Sequence, residues 1–244
     1  MARMRVDDVF KFKLFDIHQD QCAMKINTDG VLLGAWSDVN GKSRALDIGT
    51  GTGIIAMMLA QRSPSLVSHA IEIDENAYKQ ACQNMVQSPF GDRLICVHQS
   101  VQDFSRSSEQ KFDLIVSNPP FFSGGTFSSN ENKANVRHTL KLSHSDLLMS
   151  VRSLLTDDGH FDIILPYLEG LRFIEMAAMY DFGWVNMTEV RPRIGKNIER
   201  LLIRFGVKYN GVSTTDQLIM HKSLNVNDYS DEVIAMTKDF YIFM

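Results

Sequence analysis

The stretch Ala45-Leu46-Asp47-Ile48-Gly49-Thr50-Gly51-Thr52-Gly53-Ile54-Ile55-Ala56 constrains this chain more than any other. Its apolar start predicts a short buried strand running into Asp47. Three glycines at alternate positions then open a helix near Ile54. Glycine lacks Cβ, so the backbone can turn sharply and a ligand can lie against it. The helix start that follows presents free N–H groups and positive dipole character. In doubly wound sheets, nucleotide-like ligands bind at such a turn. On its own the turn suits a dinucleotide, a phosphate or an adenosyl group equally.

Two details favour an adenosyl group, in the form of S-adenosylmethionine. The pattern is Asp-x-Gly-x-Gly-x-Gly, not the Gly-x-Gly-x-x-Gly of dinucleotide sites, and it lacks the Lys-Ser/Thr of a P-loop. The next expected strand, Ser68-His69-Ala70-Ile71-Glu72-Ile73-Asp74, ends in acids. At that distance beyond the turn a carboxylate can accept hydrogen bonds from both ribose hydroxyls.

From residue 44 the chain alternates strand and helix, which argues for a parallel sheet. Strands are expected near 44–48, 68–73, 93–97, 112–117 and 159–165, and helices near 53–62, 75–87, 143–155 and 167–180. Residues 184–191 and 200–208 read as an antiparallel pair at the sheet edge, and 229–243 as an amphipathic helix. Ahead of the sheet, 9–17 and 22–26 are expected to pair as a hairpin, with 31–36 a helix capped by Asn27 or Thr28.

A second motif follows the strand expected at 112–117: Asn118-Pro119-Pro120-Phe121. The prolines end the strand and stiffen the turn. They leave the Asn118 side chain and the Pro119 carbonyl presented together. An exocyclic amine conjugated to a ring is a poor nucleophile. If its two hydrogens bond to these two acceptors, developing positive charge on nitrogen is stabilised. Phe121 would stack on the base plane, as aromatic residues do on flipped or single-stranded bases. A glutamine amide meets the same acceptors equally well, so the motif selects the amine and not the molecule that carries it.

These residues, with Glu72, resemble the Rossmann-fold amino methyltransferases that use S-adenosylmethionine. Lys25-Ile26-Asn27-Thr28-Asp29-Gly30-Val31-Leu32-Leu33-Gly34-Ala35-Trp36 more narrowly resembles bacterial enzymes that methylate adenine N6 at position 37 of valine tRNA. The resemblance implies that Asp47, Gly49, Gly51 and Gly53 shape the methionine and ribose side of the cofactor pocket, and that Glu72 binds the ribose. Ser100 and Val101 would border the cofactor adenine; many relatives carry an Asp there, and here the nearest is Asp103. Asn118 and Pro119 would hold the target amine, with Asn118 also bordering the cofactor.

Weaker signals concern the substrate. Pro120, Phe122 and Arg137 (with His138) follow the motif closely enough to meet RNA. Residues 191–208 hold six bases, Arg191, Arg193, Lys196, Arg200, Arg204 and Lys208, against Glu199 alone. That local excess suits phosphates on a chain whose net charge is −4. Asp29 reads either as a helix cap or as a residue at the cofactor entrance.

Cys22, Cys82 and Cys96 form no C-x-x-C pair, which predicts reduced, buried thiols in a cytoplasmic protein. Seven His and three Cys show no metal-ligand spacing, so no metal is expected. No apolar run reaches the roughly 18–20 residues of a membrane span. The sequence sets no oligomeric state.

The expectation is an α/β, Rossmann-like seven-stranded methyltransferase fold, mostly parallel with an antiparallel C-terminal edge. Residues 1–43 form an N-terminal extension and 44–244 the catalytic unit. The expected reaction is methyl transfer to adenine N6 in tRNA. Open alternatives are protein-glutamine N5-methylation, N6-adenine methylation of rRNA or DNA, and a non-catalytic RNA-binding module with a cofactor pocket.

Overall fold

The computed structural model describes residues 8–120 and 142–244. In chain order it holds β1 (Val9–Lys11), β2 (Asp16–His18), α1 (Thr28–Trp36), β3 (Arg44–Ile48), α2 (Ile54–Arg62), β4 (Val67–Glu72) and α3 (Glu75–Gln87). Then come β5 (Leu94–His98), α4 (Val101–Ser107), β6 (Phe112–Ser117), α5 (His144–Leu154), β7 (Leu155–Pro166) and α6 (Tyr167–Ala178). The chain ends with β8 (Phe182–Arg191), β9 (Arg200–Val207), β10 (Thr214–Ile219) and α7 (Asp231–Thr237).

One sheet runs in the order β10-β8-β9-β7-β6-β3-β4-β5. β3 to β7 pair in parallel. Of these, β3 and β6 are apolar and buried along almost their whole length, as a strand covered by helices on both faces must be. β9 runs antiparallel to both β7 and β8, giving the expected antiparallel edge. The seven expected strands are β3 to β9. An eighth, β10, pairs in parallel with β8 at the outer edge. Its first four residues are exposed, so it carries little of the apolar signal that reveals a buried strand.

The chain order makes the site. It moves outward from β3 to β4 to β5, then crosses back to lay β6 on the other side of β3. That reversal opens a crevice at the carboxyl ends of β3 and β6, where open α/β sheets bind ligands. Ile48 and Ser117 are opposed partners at the last rung of this pair. The buried Ser117 hydroxyl donates to the Ile48 carbonyl at 3.0 Å, so a side chain continues the pairing after the backbone ladder ends.

Two apolar cores flank the sheet. One gathers α1, α2 and the terminal segments; the other gathers α4, α5 and α6. All seven residues from Ile54 to Ala60 in α2 are buried, because α1 lies over its outer side. The contact is close at Gly34, where an added Cβ would sit 2.9 Å from Met58 Sδ.

The expected pairing of 9–17 with 22–26 does not form: the hairpin lies within the first of these segments, pairing Val9–Lys11 with Asp16–His18. Residues 22–26 form no strand because side chains claim their neighbourhood: Gln21 N–H donates to Gln80 Oε1 and Ile26 N–H to Gln19 Oε1. Asn84, fully buried in α3, accepts from His18 N–H and donates to the carbonyls of His18 and Thr52, each at 2.9 Å. It thereby ties the N-terminal segment to the glycine turn. The last helix is also shorter than expected. It is capped by Ser230 and ends at Thr237, after which the chain turns so that Tyr241 bridges and stacks on Phe12. Between the strands expected near 93–97 and 112–117, where no element was expected, lies α4. Its signal is Ser100-x-x-Asp103, in which the Ser100 side chain caps the Asp103 N–H.

Replacing Asn84 by Ala takes its partner from one buried and two half-buried backbone groups. The expected loss of stability is about 2–4 kcal/mol, read from equilibrium urea unfolding. A loss below about 1 kcal/mol, within the range of an ordinary surface change, would contradict the tie.

Candidate active site

The turn after β3 follows from its glycines. Gly49, Gly51 and Gly53 have φ of 71°, 57° and 87°, in the left-handed region that disfavours any Cβ. At Gly49 and Gly51 an added Cβ would meet nothing within 4 Å, so the exposed backbone borders open space. Asp47 lies behind the turn, fully buried, and its carboxylate points inward. Oδ2 accepts from the Thr50 hydroxyl at 2.6 Å and from the Ala56 N–H at 3.3 Å, which fastens the turn to the first turn of α2. Oδ1 is buried with no partner among the described residues. Burial dominates the titration of this group and pushes the carboxyl up to about 7.

Glu72 ends β4 beside the turn and is 8% exposed. Its Oε2 accepts from Gly51 N–H and its Oε1 from the N–H groups of Ile73 and Asp74, each at 2.9 Å. Three backbone donors thus hold the carboxylate in one orientation against the glycine turn. A cleft beside it is lined by Gly49, Glu72, Ser100, Val101 and Gln102, from the carboxyl ends of β3, β4 and β5. Ser100 and Val101 line this cleft together with Glu72. Asp103 serves α4 instead, accepting from the Ser100 hydroxyl at 2.7 Å and pairing with Arg106. Space against bare backbone beside a fixed carboxylate suits a ligand carrying a diol.

Asn118, half-buried, follows β6, with Pro119 buried and Pro120 exposed behind it. The Asn118 Nδ2 donates to Asn27 Oδ1 at 3.4 Å, and that same oxygen caps α1 by accepting from Gly30 N–H at 2.9 Å. Sequence reasoning saw Asn27 only as a possible cap. Its second task is fixing which way the Asn118 amide faces, and it depends on a contact 91 residues distant, which no local pattern signals.

Asp29 neither caps α1, which Asn27 does, nor stands unpaired: it accepts from Arg200 Nε at 2.8 Å. The basic stretch is partly consumed in the same way. Arg204 makes two 2.8 Å bonds to buried Asp162 and lies over the Trp36 ring. Arg191 reaches Glu189 and the Lys196 carbonyl. Arg193 and Lys196 sit on the β8–β9 loop, where Lys196 N–H donates to the Arg193 carbonyl. Phe121, Phe122, Arg137 and His138 lie outside the described residues. The three cysteines are free and half-buried, less enclosed than expected; burial and the Glu72 and Asp74 carboxylates raise the Cys22 thiol to about 12. Among the described residues no three His, Cys, Asp or Glu side chains gather as a metal site, and no helix is long and apolar enough to cross a membrane.

Comparison with known proteins agrees with this geometry. A family model described as the methyltransferase small domain matches residues 29–141, the span that holds both turns. Among solved structures, a protein described as a predicted O-methyltransferase, from Agrobacterium tumefaciens, superposes with a TM-score of 0.68 at 18% identity, covering 87% of this chain and 96% of its own. A glycopeptide N-methyltransferase complexed with S-adenosylmethionine superposes with a TM-score of 0.54 at 12% identity, covering 75% of this chain and all of its own. The fold is that of a Rossmann-like methyltransferase.

Relatives from Christiangramia forsetii and Mannheimia succiniciproducens are 39% and 40% identical, each over 96% of this chain and over 97% and 94% of their own. The chain belongs to their family, the tRNA1(Val) (adenine(37)-N6)-methyltransferases.

Asp47 gives the site a pH signature. An acid whose folded pKa lies near 7, against about 4 unfolded, keeps its proton in the folded state between those values. Stability therefore falls with rising pH across that window and levels off above it. Relative to Asp47→Asn, the ligand-free wild type is expected to lose stability steadily from pH 4 to 7 in urea titrations. A flat difference would show that Asp47 is ionised throughout.

Proposed function

We propose that the chain transfers a methyl group from S-adenosylmethionine to the exocyclic N6 of adenine 37 in valine tRNA. The observation that carries this reading is the placing of a glycine turn and an amine-accepting turn on neighbouring strand ends, with Asn118 oriented from behind by Asn27. The printed names of the relatives support adenine in tRNA over a protein glutamine.

In this reading the backbone at Gly49 and Gly51 would lie against the cofactor, Glu72 would accept from its ribose, and Ser100 and Val101 would border its adenine. When bound, the cofactor supplies a methyl group activated by its sulfonium. Because Asn118 Nδ2 is engaged by Asn27, Oδ1 is the atom left to accept from the target amine, and the Pro119 carbonyl takes its other hydrogen. These two acceptors would stabilise the positive charge that builds on nitrogen as the N–C bond forms and the methyl carbon's bond to sulfur breaks, the sulfur leaving as a neutral thioether. The amine is no longer conjugated once it attacks, so its proton is acidic enough to leave to water, and no strong base is required. Positioning supplies much of the remaining rate. Phe121 stacks on the target base, and Pro120, Phe122, Arg137, Arg193 and Lys196 contribute contacts to the RNA.

Asn118→Ala is expected to lower kcat by at least about 100-fold while cofactor affinity, measured by calorimetry, stays within about twofold. Loss of cofactor binding would instead give Asn118 a role in holding the donor. For the substrate, the wild-type enzyme is incubated with methyl-labelled donor and total RNA, DNA or protein, and the products are digested. Label in N6-methyladenosine of valine tRNA supports the reading; label in methylglutamine overturns the substrate while leaving the chemistry.

A further inference from the structure

One cavity among the described residues lies away from the glycine turn. It has a volume of about 410 Å³ and opens between the start of α1, the β8–β9 loop and the segment joining β10 to α7. That size falls within the range of small-ligand pockets. Buried Leu32, Val190 and Met220 line it with apolar surface, and Asn27, His221 and Tyr229 add polar edges and rings. It stands on the same carboxyl edge of the sheet as the catalytic turn, since Arg200 in its wall pairs with Pro166 at the end of β7. Asn27 belongs to both places, lining the cavity while its Oδ1 receives the Asn118 amide.

Resting on the methyltransferase reading above, the geometry points to this cavity as the seat of a second, unpaired base of the RNA, next to the adenine that is methylated. Three observations select a base over a phosphate or a free metabolite. The first is charge: Arg200 in the wall is bonded to Asp29, and Glu199 lies beside it, so the wall offers no surplus of positive charge to an anion. The second is chemistry. The His221 ring packs on Tyr229 with centroids 4.9 Å apart, so two rings stand together in the wall, with the Asn27 amide as a polar edge. A flat heteroaromatic group with hydrogen-bonding edges matches such a wall, and RNA is read mainly through unstacked bases of this kind.

The third is the pair of loops that supply the wall. The β8–β9 loop exposes Ile194 at 81%, and the segment joining β10 to α7 exposes Leu224 at 81% and Val226 at 61%. Apolar side chains of this kind can wedge between nucleic-acid bases. The two loops act as one mouth, because Met220 N–H donates to the Arg191 carbonyl and His221 N–H to the Pro192 carbonyl, at 2.8 and 3.1 Å. Arg193 and Lys196 on the first loop add positive charge for the backbone outside.

The test uses the full chain and stem-loop RNAs carrying the target adenine, intact or with an abasic site at each nucleotide flanking it. One flanking abasic site is expected to lower kcat/KM of the wild-type enzyme about tenfold, within the range of one lost base stack. His221→Ala, and separately Tyr229→Leu, should lose about tenfold on intact RNA yet less than about threefold more on that abasic RNA, since partners removed together do not count twice. Unchanged cofactor affinity shows that the variants are folded; if they are not, the wild-type series still decides. Flanking abasic sites that all stay within about twofold, or variant and abasic losses that multiply, overturn the proposal. A wild-type enzyme that methylates no RNA at all would instead defeat the earlier reading.

Discussion

Parallel pairing of β3 with β6 is the constraint on which the rest of this molecule depends. The two strands lie far apart in sequence, and both are buried almost throughout under helices on either face, so their pairing is set by the central core of the molecule. The pairing ends with Ile48 opposite Ser117, and the next residues, Gly49 and Asn118, begin the two turns that matter. Neighbouring strands stand about 4.8 Å apart. The two turns that begin at these ends are therefore brought within reach of each other by the sheet itself. The Ser117 hydroxyl extends that hold to the rim.

Each turn is then stiffened by a different device. On the glycine side, left-handed backbone is stabilised from behind by Asp47 and from the side by Glu72, so that two carboxylates accept the N–H groups the turn leaves open. Asp47 is held there against a strong desolvation cost, visible in its raised titration. On the asparagine side, prolines fix the chain and Asn27 fixes the amide. Asn27 reaches this place because α1 is pressed on α2 at Gly34, and α2 begins at the glycine turn. The two halves of the site are thus connected through one helix pair.

Much of this could be read from the chain alone. The Asp-x-Gly-x-Gly-x-Gly and Asn-Pro-Pro-Phe motifs are local, each a strand that stops in a special turn, and both lie where alternation of strand and helix puts them. Elements with a strong apolar period, such as β3, β6 and α3, were legible for the same reason. What stayed hidden was governed by distant or polar contacts. β10 is mostly exposed, and residues 22–26 give up strand pairing to bonds involving Gln19, Gln21 and Gln80. The basic run 191–208 looked like a phosphate surface until the fold set Asp29, Asp162 and Glu189 against three of its arginines. Charge counted along a sequence cannot show which charges face each other across a sheet.

The central claim is that the two strand ends present donor and acceptor to each other. Its most direct measurement is a crystal structure of the protein with a donor analogue that carries an amine in place of the transferable methyl. The account predicts that this amine lies within about 4 Å of Asn118 Oδ1, near the contact distance of a reactive pair. An analogue seated with that amine turned toward β5, or lodged in the cavity beside α1, would contradict it.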